Sequence, residues 1–238
     1  MALIAPAYNE EGKIGRVVEK VAAVAPRLPC DLRMVVVDDG STDGTAAEAG
    51  AAGAVVLRHE RNRGVGAGIR TGIDWARENH FDVAAVISGD DQHVPEELGR
   101  LLAPLVEGKA DFVQGSRWMP GGRVENIPVA RRVLTRAYAW MVRLFLGCRC
   151  TDGTNGLRAF RLSILDDPRI NLWQSWLDTY ELEPYVLYQA IRTGVRLVEV
   201  PCTVRYHSRR AGFTKMRAFR DWWRILRPLV LLKLRLRS

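Results

Sequence analysis

Five short strand-like runs, each followed by turn residues and then by helix-patterned sequence, fill the first half of this chain. They are Leu3–Ala7, Met34–Val37, Ala54–Leu57, Val83–Ser88 and Asp111–Gly115. Runs this short and this apolar read as strands buried on both faces. Between the first two, Ile14, Val17, Val18 and Val21 share one face of an expected helix from about Glu10 to Ala25, with Asn9 as its cap. Further helices are expected from Asp43 to about Gly50, capped by Ser41 or Thr42, through Gly72–Glu78 behind a glycine-rich start, and over Pro95–Val106. Strands alternating with helices predict an α/β fold, a mostly parallel sheet with helices on both faces.

The pattern changes after Arg117. "MPGGRVENIP" reads as a flexible loop and Val129–Leu146 as an amphipathic helix with arginines on its polar side. "CRCTDGTNGLRAF" reads as a loop returning to the sheet, followed by a helical pattern over Trp176–Thr193 and a strand over Arg196–Pro201. No repeat and no linker interrupts the chain, which predicts one domain over 1–215 followed by a basic amphipathic helix over 216–238.

Three of the strand runs end in polar clusters: Tyr8–Glu11, Asp38–Asp43 and Gly89–Gln92. Each cluster alone reads as caps and turns, because Asp, Ser and Gly favour such positions. Together they fall where open parallel sheets bind ligands, beyond the carboxyl ends of the strands. Carboxylates gathered in one crevice repel unless a cation or hydrogen-bond donors compensate, and a hard divalent cation bridging to phosphates meets that need. The glycines of "NRGVGAGIRTG" follow the third strand and lack the G-x-G-x-x-G spacing of a dinucleotide fold. No phosphate-binding G-x-x-x-x-G-K-[ST] loop exists either. Asn62 and Arg63 there suit a nucleotide-facing loop.

In this order, "PAYNE", "DDGSTDGT", "NRGVGAGIRTG", "GDDQH", "GSRW" and "DGTNGLRAF" resemble the family 2 inverting glycosyltransferases, in particular the branch of dolichol- and polyprenol-phosphate sugar synthases. The resemblance runs from about Ala5 to Lys215. It implies a glycosyltransferase A-type fold, a nucleotide-sugar donor (GDP or UDP) and Mg²⁺ or Mn²⁺. Pro6, Tyr8, Glu10, Asp38 and Asp39 would hold the donor's base and ribose side, joined by Arg63 and Gly68. The family's metal motif reads D-x-D-x-Q-H, whereas this chain reads Ser88-Gly89-Asp90-Asp91-Gln92-His93. Asp90 and Gln92 remain as metal ligands, Asp91 is a substitute, and His93 is expected to cap or pack. The resemblance also places Arg117, Arg131, Arg132 and the hydroxyl of Thr135 near the acceptor phosphate, and Arg209 and Lys215 against the donor diphosphate.

A phosphate acceptor is already ionised near neutral pH and needs no general base. What it needs is fixed cations to meet an anionic donor. A hydroxyl acceptor would instead need a carboxylate to take its proton, and Asp152 is then the candidate. The net charge of +8 points the same way: residues 205–238 hold eleven Lys or Arg and one acid, whereas the remainder holds 24 basic and 26 acidic residues. That tail repeats Phe219, Trp222, Trp223, Leu226, Leu229 and Val230 at helical spacing, the pattern of a helix lying on a membrane surface or packed on its own domain. No nucleic-acid motif accompanies the charge. Four cysteines without paired CxxC spacing favour reduced thiols, and neither a leader nor a spanning segment is visible. The expectation is an inverting hexosyltransferase acting on a polyprenyl phosphate, cytoplasmic and peripheral at the membrane. Two alternatives stay open: transfer to a soluble hydroxyl, and a non-catalytic sugar-nucleotide binder.

Overall fold

A computed structural model describes residues 1–207, 220–234 and 236. Seven strands among them form one sheet: β1 (Ala2–Ala7), β2 (Arg33–Asp38), β3 (Val55–Arg58), β4 (Val83–Val86), β5 (Phe112–Ser116), β7 (Arg158–Arg161) and β8 (Leu197–Pro201). A parallel ribbon of β6 (Arg123–Glu125) and β9 (Thr203–Arg205) stands apart. The sheet order is β3-β2-β1-β4-β7-β5-β8. All its neighbours run parallel except β7, which is antiparallel to both β4 and β5.

Successive side chains of β1 alternate between two cores. Leu3, Ala5 and Ala7 join α1 (Ile14–Val24) and α4 (Leu98–Val106) on one face. Ala2 and Ile4 join α3 (Val65–Glu78), α5 (Val129–Leu146) and α6 (Leu182–Thr193) on the other. Burial of both faces is why the strands read as continuous apolar runs. Ala7 pairs with Asp38 at the carboxyl end of the β1–β2 ladder. Tyr8 and Asp39 therefore emerge together at one rim.

Helix starts differ from the sequence pattern. α1 begins at Ile14 rather than near Glu10, and Asn9 does not cap it. Asn9 sits at φ 51°, and its Oδ1 accepts the Thr42 N–H. The N–H groups of Gly12 and Gly15 at the start of α1 go instead to the Glu48 carboxylate of α2 (Thr45–Ala51). Acid at a helix N-terminus is favoured by its exposed N–H groups and dipole.

Three strands had no legible signal. Arg123–Glu125, expected as loop, is β6, and Thr203–Arg205 is its partner β9. The return loop ends in β7, which divides β4 from β5. The tail helix is α7 (Arg220–Lys233), and it is not a separate unit: Ile225, Leu229 and Leu232 are buried in the same core as Tyr138, Val142 and Tyr185. Its inward face is centred on those residues and Asp221, which leaves Trp223 exposed. Among the described residues no helix is long and apolar enough to cross a membrane. The four cysteines are unpaired thiols.

Candidate active site

The strand-end clusters line one cavity of about 650 Å³ at the carboxyl rim of β1 and β4. Pro6, Tyr8, Glu10, Asp39, Asn62 and Gly64 make one side of it. Asp39 organises that side. Its Oδ1 accepts from His59 Nδ1–H at 2.7 Å and from the Arg63 N–H at 2.8 Å, and Oδ2 accepts the Gly64 N–H at 2.7 Å. Gly64 turns the chain into α3 at φ 106°, against the Asp178 carbonyl, where a side chain would collide. Asp39 thus shapes the loop as well as facing the cavity.

Three expected donor contacts lie elsewhere. Asp38 is fully buried away from the cavity, with Oδ1 accepting the Ser41 N–H at 3.0 Å and Oδ2 at 3.2 Å from Arg58 Nε. Gly68 is a packing position: a Cβ there would stand 3.2 Å from that of Pro6, so the bare glycine lets α3 approach β1. Arg63 contributes its backbone N–H to Asp39 while its side chain is exposed, and it does not line the cavity.

Ser88–His93 forms the floor. Asp90 faces the cavity with Gln92 beside it. Gln92 donates to Asp90 from its backbone N–H at 3.2 Å and from Nε2 at 2.7 Å, and Ser88 Oγ donates to Asp90 Oδ1. Asp91 does not join them. At φ 61° it turns outward to Lys20 Nζ, 2.7 Å away, and Arg16 Nε, 3.4 Å away. His93 is structural. Its Nδ1 accepts the Ser88 N–H at 3.1 Å, and Nε2–H donates to Asn155 Oδ1 at 2.9 Å. Burial lowers its pKa, outweighing the hydrogen bond it donates to Asn155, and keeps the ring neutral.

Opposite stands a cationic side. Arg117 and Asp152 form a buried pair, with Nε to Oδ2 at 2.6 Å and Nη2 to Oδ1 at 2.7 Å; Arg117 Nη1 donates to Tyr206 Oη at 2.6 Å. Burial disfavours the charged guanidinium, but the Asp152 carboxylate more than offsets this and holds its pKa above the ordinary value. Asp152 is fully buried, also accepts the Arg117 N–H at 3.0 Å, and does not line the cavity. These contacts leave it as the anchor of Arg117 rather than a free proton acceptor. Arg131 lies over the Tyr206 ring, 4.9 Å from its centroid, at the cavity wall. Thr135 lines the same wall and donates its hydroxyl proton to the Arg131 carbonyl at 2.9 Å. Arg132 is exposed and outside the cavity. Arg209 and Lys215 lie outside the described residues.

Residues 2–167 match the family described as Glycosyl transferase family 2. The chain belongs to that family. This family 2 glycosyltransferase is 34% identical over 220 residues to the polyprenol monophosphomannose synthase of Mycolicibacterium smegmatis, an alignment covering 90% of this chain and 80% of that protein. It is 33% identical over 218 residues to the undecaprenyl-phosphate mannosyltransferase of Micrococcus luteus, covering 90% of this chain and 86% of that one. Among solved structures it is similar to Mycobacterium tuberculosis glucosyl-3-phosphoglycerate synthase in complex with Mn²⁺, UDP-glucose and phosphoglyceric acid. The TM-score is 0.71 at 20% identity, covering 100% of this chain and 80% of that chain. That likeness shows the fold, a glycosyltransferase A-type architecture.

Oxygen donors are what the floor of this glycosyltransferase offers a cation: the Asp90 carboxylate, the Gln92 amide oxygen once the amide turns, and the Ser88 hydroxyl. Such a set fits Mg²⁺ or Mn²⁺ with a diphosphate and water completing the shell. Among the described residues no group of three or more His, Cys, Asp or Glu side chains converges. Sequence reasoning missed the side of the cavity built by Tyr180, Glu183, Tyr206, Trp222 and Arg224. Glu183 falls inside the helix expected over Trp176–Thr193 and stands in the first turn only of the observed α6, so nothing in the sequence marked it.

Proposed function

We propose that the enzyme is an inverting hexosyltransferase moving a sugar from a GDP- or UDP-sugar to a polyprenyl phosphate at a membrane surface. One observation carries the reading: a single cavity sets an oxygen-donor floor, Asp90 and Gln92, across from a guanidinium side, Arg131 with Arg117 behind it. Two anions, a donor diphosphate and an acceptor phosphate, need two such opposed sites to approach each other. Asp90 and Gln92 would hold Mg²⁺ or Mn²⁺, which would supply positive charge to offset that of the leaving diphosphate. Arg131 fixes the acceptor phosphate, held in place by its stacking on Tyr206. A phosphate nucleophile needs no proton taken from it, which agrees with Asp152 being committed to Arg117. The names of the relatives support the lipid acceptor, and the Mn²⁺ and UDP-glucose bound by the M. tuberculosis enzyme support the donor and cation.

A lipid acceptor requires approach to a bilayer. Support comes from α5, where Val129, Val133, Trp140 and Leu144 form an exposed stripe beside exposed Arg132, Arg136 and Arg143. Apolar stripes flanked by arginine suit an anionic lipid surface.

The test is transfer to a short-chain polyprenyl phosphate from a set of sugar nucleotides with Mn²⁺. Wild type should form a lipid-linked sugar, and Arg131→Ala should lose roughly ten- to a hundredfold of the rate, the range for a hydrogen bond to a charged group. Glycosylation of a soluble hydroxyl compound with none on lipid phosphate would overturn the lipid reading.

A further inference from the structure

The ribbon strand β9 and the two residues after it run between the cation floor and the arginines. Arg205 donates its N–H to the Gln92 carbonyl at 2.8 Å, the His207 ring donates from Nε2 to the Asp90 carbonyl at 2.6 Å, and Val204 forms a β-bridge with His93. The backbone of the floor is therefore tied to 204–207 at Asp90, Gln92 and His93. Tyr206 stands among these ties, its own N–H on the Glu125 carbonyl of β6 at 3.0 Å. Its buried side chain lines the cavity, accepts from Arg117 Nη1 on Oη at 2.6 Å and carries Arg131 over its ring at 4.9 Å.

Both arginines thus meet on one residue. Every nitrogen of the Arg117 guanidinium has a partner: Asp152 at Nε and Nη2, Thr154 Oγ1 at Nη2 at 2.7 Å, and Tyr206 at Nη1. Arg131 is a long side chain whose rotamer freedom must be lost when a phosphate binds, and a ring face that receives it in advance reduces that loss. Two anions react only when held at a fixed approach, and a misplacement of about 1 Å can cost roughly a hundredfold in rate. A buried tyrosine bonded through its hydroxyl also suits ordinary packing. Packing does not require that it join both arginines while its neighbours hold the floor. We infer that Tyr206 is a positioning residue that sets the acceptor arginines at a fixed distance from the Asp90–Gln92 floor, its backbone segment tied to one site and its side chain to the other. This rests on reading Arg131 as the acceptor-phosphate site.

Two substitutions separate the contacts, assayed with a short-chain polyprenyl phosphate, Mn²⁺ and the sugar nucleotide that wild type uses. Tyr206→Phe keeps the ring under Arg131 and loses the Arg117 contact, so the acceptor KM should rise about three- to tenfold. Tyr206→Leu loses both, and kcat/KM for the acceptor should fall about ten- to a hundredfold. Calorimetric affinity for the nucleotide with Mn²⁺ should stay at the wild-type value in both. The deciding readout is Tyr206→Leu combined with Arg131→Ala: because Tyr206 acts through Arg131, the combined loss should fall well short of the product of the two single losses. Losses that multiply would overturn the inference. Nucleotide affinity falling in step with transfer would show a merely structural residue and overturn it too. Should Tyr206→Leu fail to fold, Tyr206→Phe decides, and an unchanged acceptor KM overturns the inference. Wild-type transfer to a soluble hydroxyl compound alone would remove the acceptor reading and this inference with it, whereas lipid transfer with multiplying losses removes this inference only.

Discussion

Asp152 and Arg117 bury opposite charges in direct contact, so removing one strands the other. Asp152→Asn should cost about 3–5 kcal/mol of stability, the range for breaking a buried pair, measured as a loss in denaturant or thermal unfolding. A base role without a structural one would instead abolish transfer at unchanged stability. His93 gives a pH signature. Its folded-state pKa lies below the ordinary 6.5, so the unfolded chain binds the proton more readily. Its stabilising contribution is complete above that value and falls away as pH drops from there toward the folded pKa. Melting temperature should decline below about pH 6.5, and His93→Asn should show a shallower decline. At this scale the sequence was legible in part. Asp39, Asp90 and Gln92 were findable because strand ends put polar side chains at the rim. The neighbours Asp38 and Asp91 were not separable from them, since adjacent residues leave a strand or turn on opposite sides. Gly68 misled for another reason: a glycine kept for helix–strand contact looks the same in sequence as one kept for a phosphate loop.

Elements follow the same division. β1, β2, β4 and β5 were legible because burial on both faces leaves an apolar signature, the half-buried edge strand β3 because Val55–Leu57 are apolar, and α1, α3 and α4 because their inward faces repeat at helical spacing. β6, β7 and β9 are three or four residues long and arginine-bearing, too brief for periodicity; pairing alone makes them strands. α7 shows how an amphipathic pattern leaves its partner open, since it spends its inward face on α5 and α6 while α5 keeps an unpartnered stripe. Replacing Trp140 and Leu144 by Ser should weaken cosedimentation with anionic phospholipid vesicles several-fold, with donor affinity in solution unchanged. Equal vesicle binding in the variant would remove α5 from the membrane reading.

Across the whole molecule, charge and family likeness are both unevenly placed. Part of the basic tail is neutralised internally: Glu181 lies 2.9 Å from Arg227 and 3.8 Å from Arg224. The match to family 2 ends at residue 167, whereas Glu183, Tyr206 and α7 follow it. Asp39 and the Asp90 floor thus lie within that family match, and part of the opposite side follows it, in a stretch covered by the longer alignments to the mannosyltransferase relatives. Donor and Mn²⁺ together should raise the melting temperature, by about 2.7 kcal/mol of stabilisation at roughly a hundred times the dissociation constant. Asp90→Ala should lose the Mn²⁺-dependent part and keep the unliganded melting temperature. The inserted strand β7 has a further consequence, in the order of assembly. Among the described residues, β5 finds its ladder partners in β7 and β8, both later in the chain. A chain emerging from the ribosome can zip β1 to β4 as they appear, but β5 must wait until residues 158–161 arrive. Because β7 runs against its neighbours, the loop before it, Gly153–Gly156, swings to the carboxyl rim in the same event. Closure of the sheet and completion of the cavity are then one step, and a nascent chain that has not reached it has no pocket to fill.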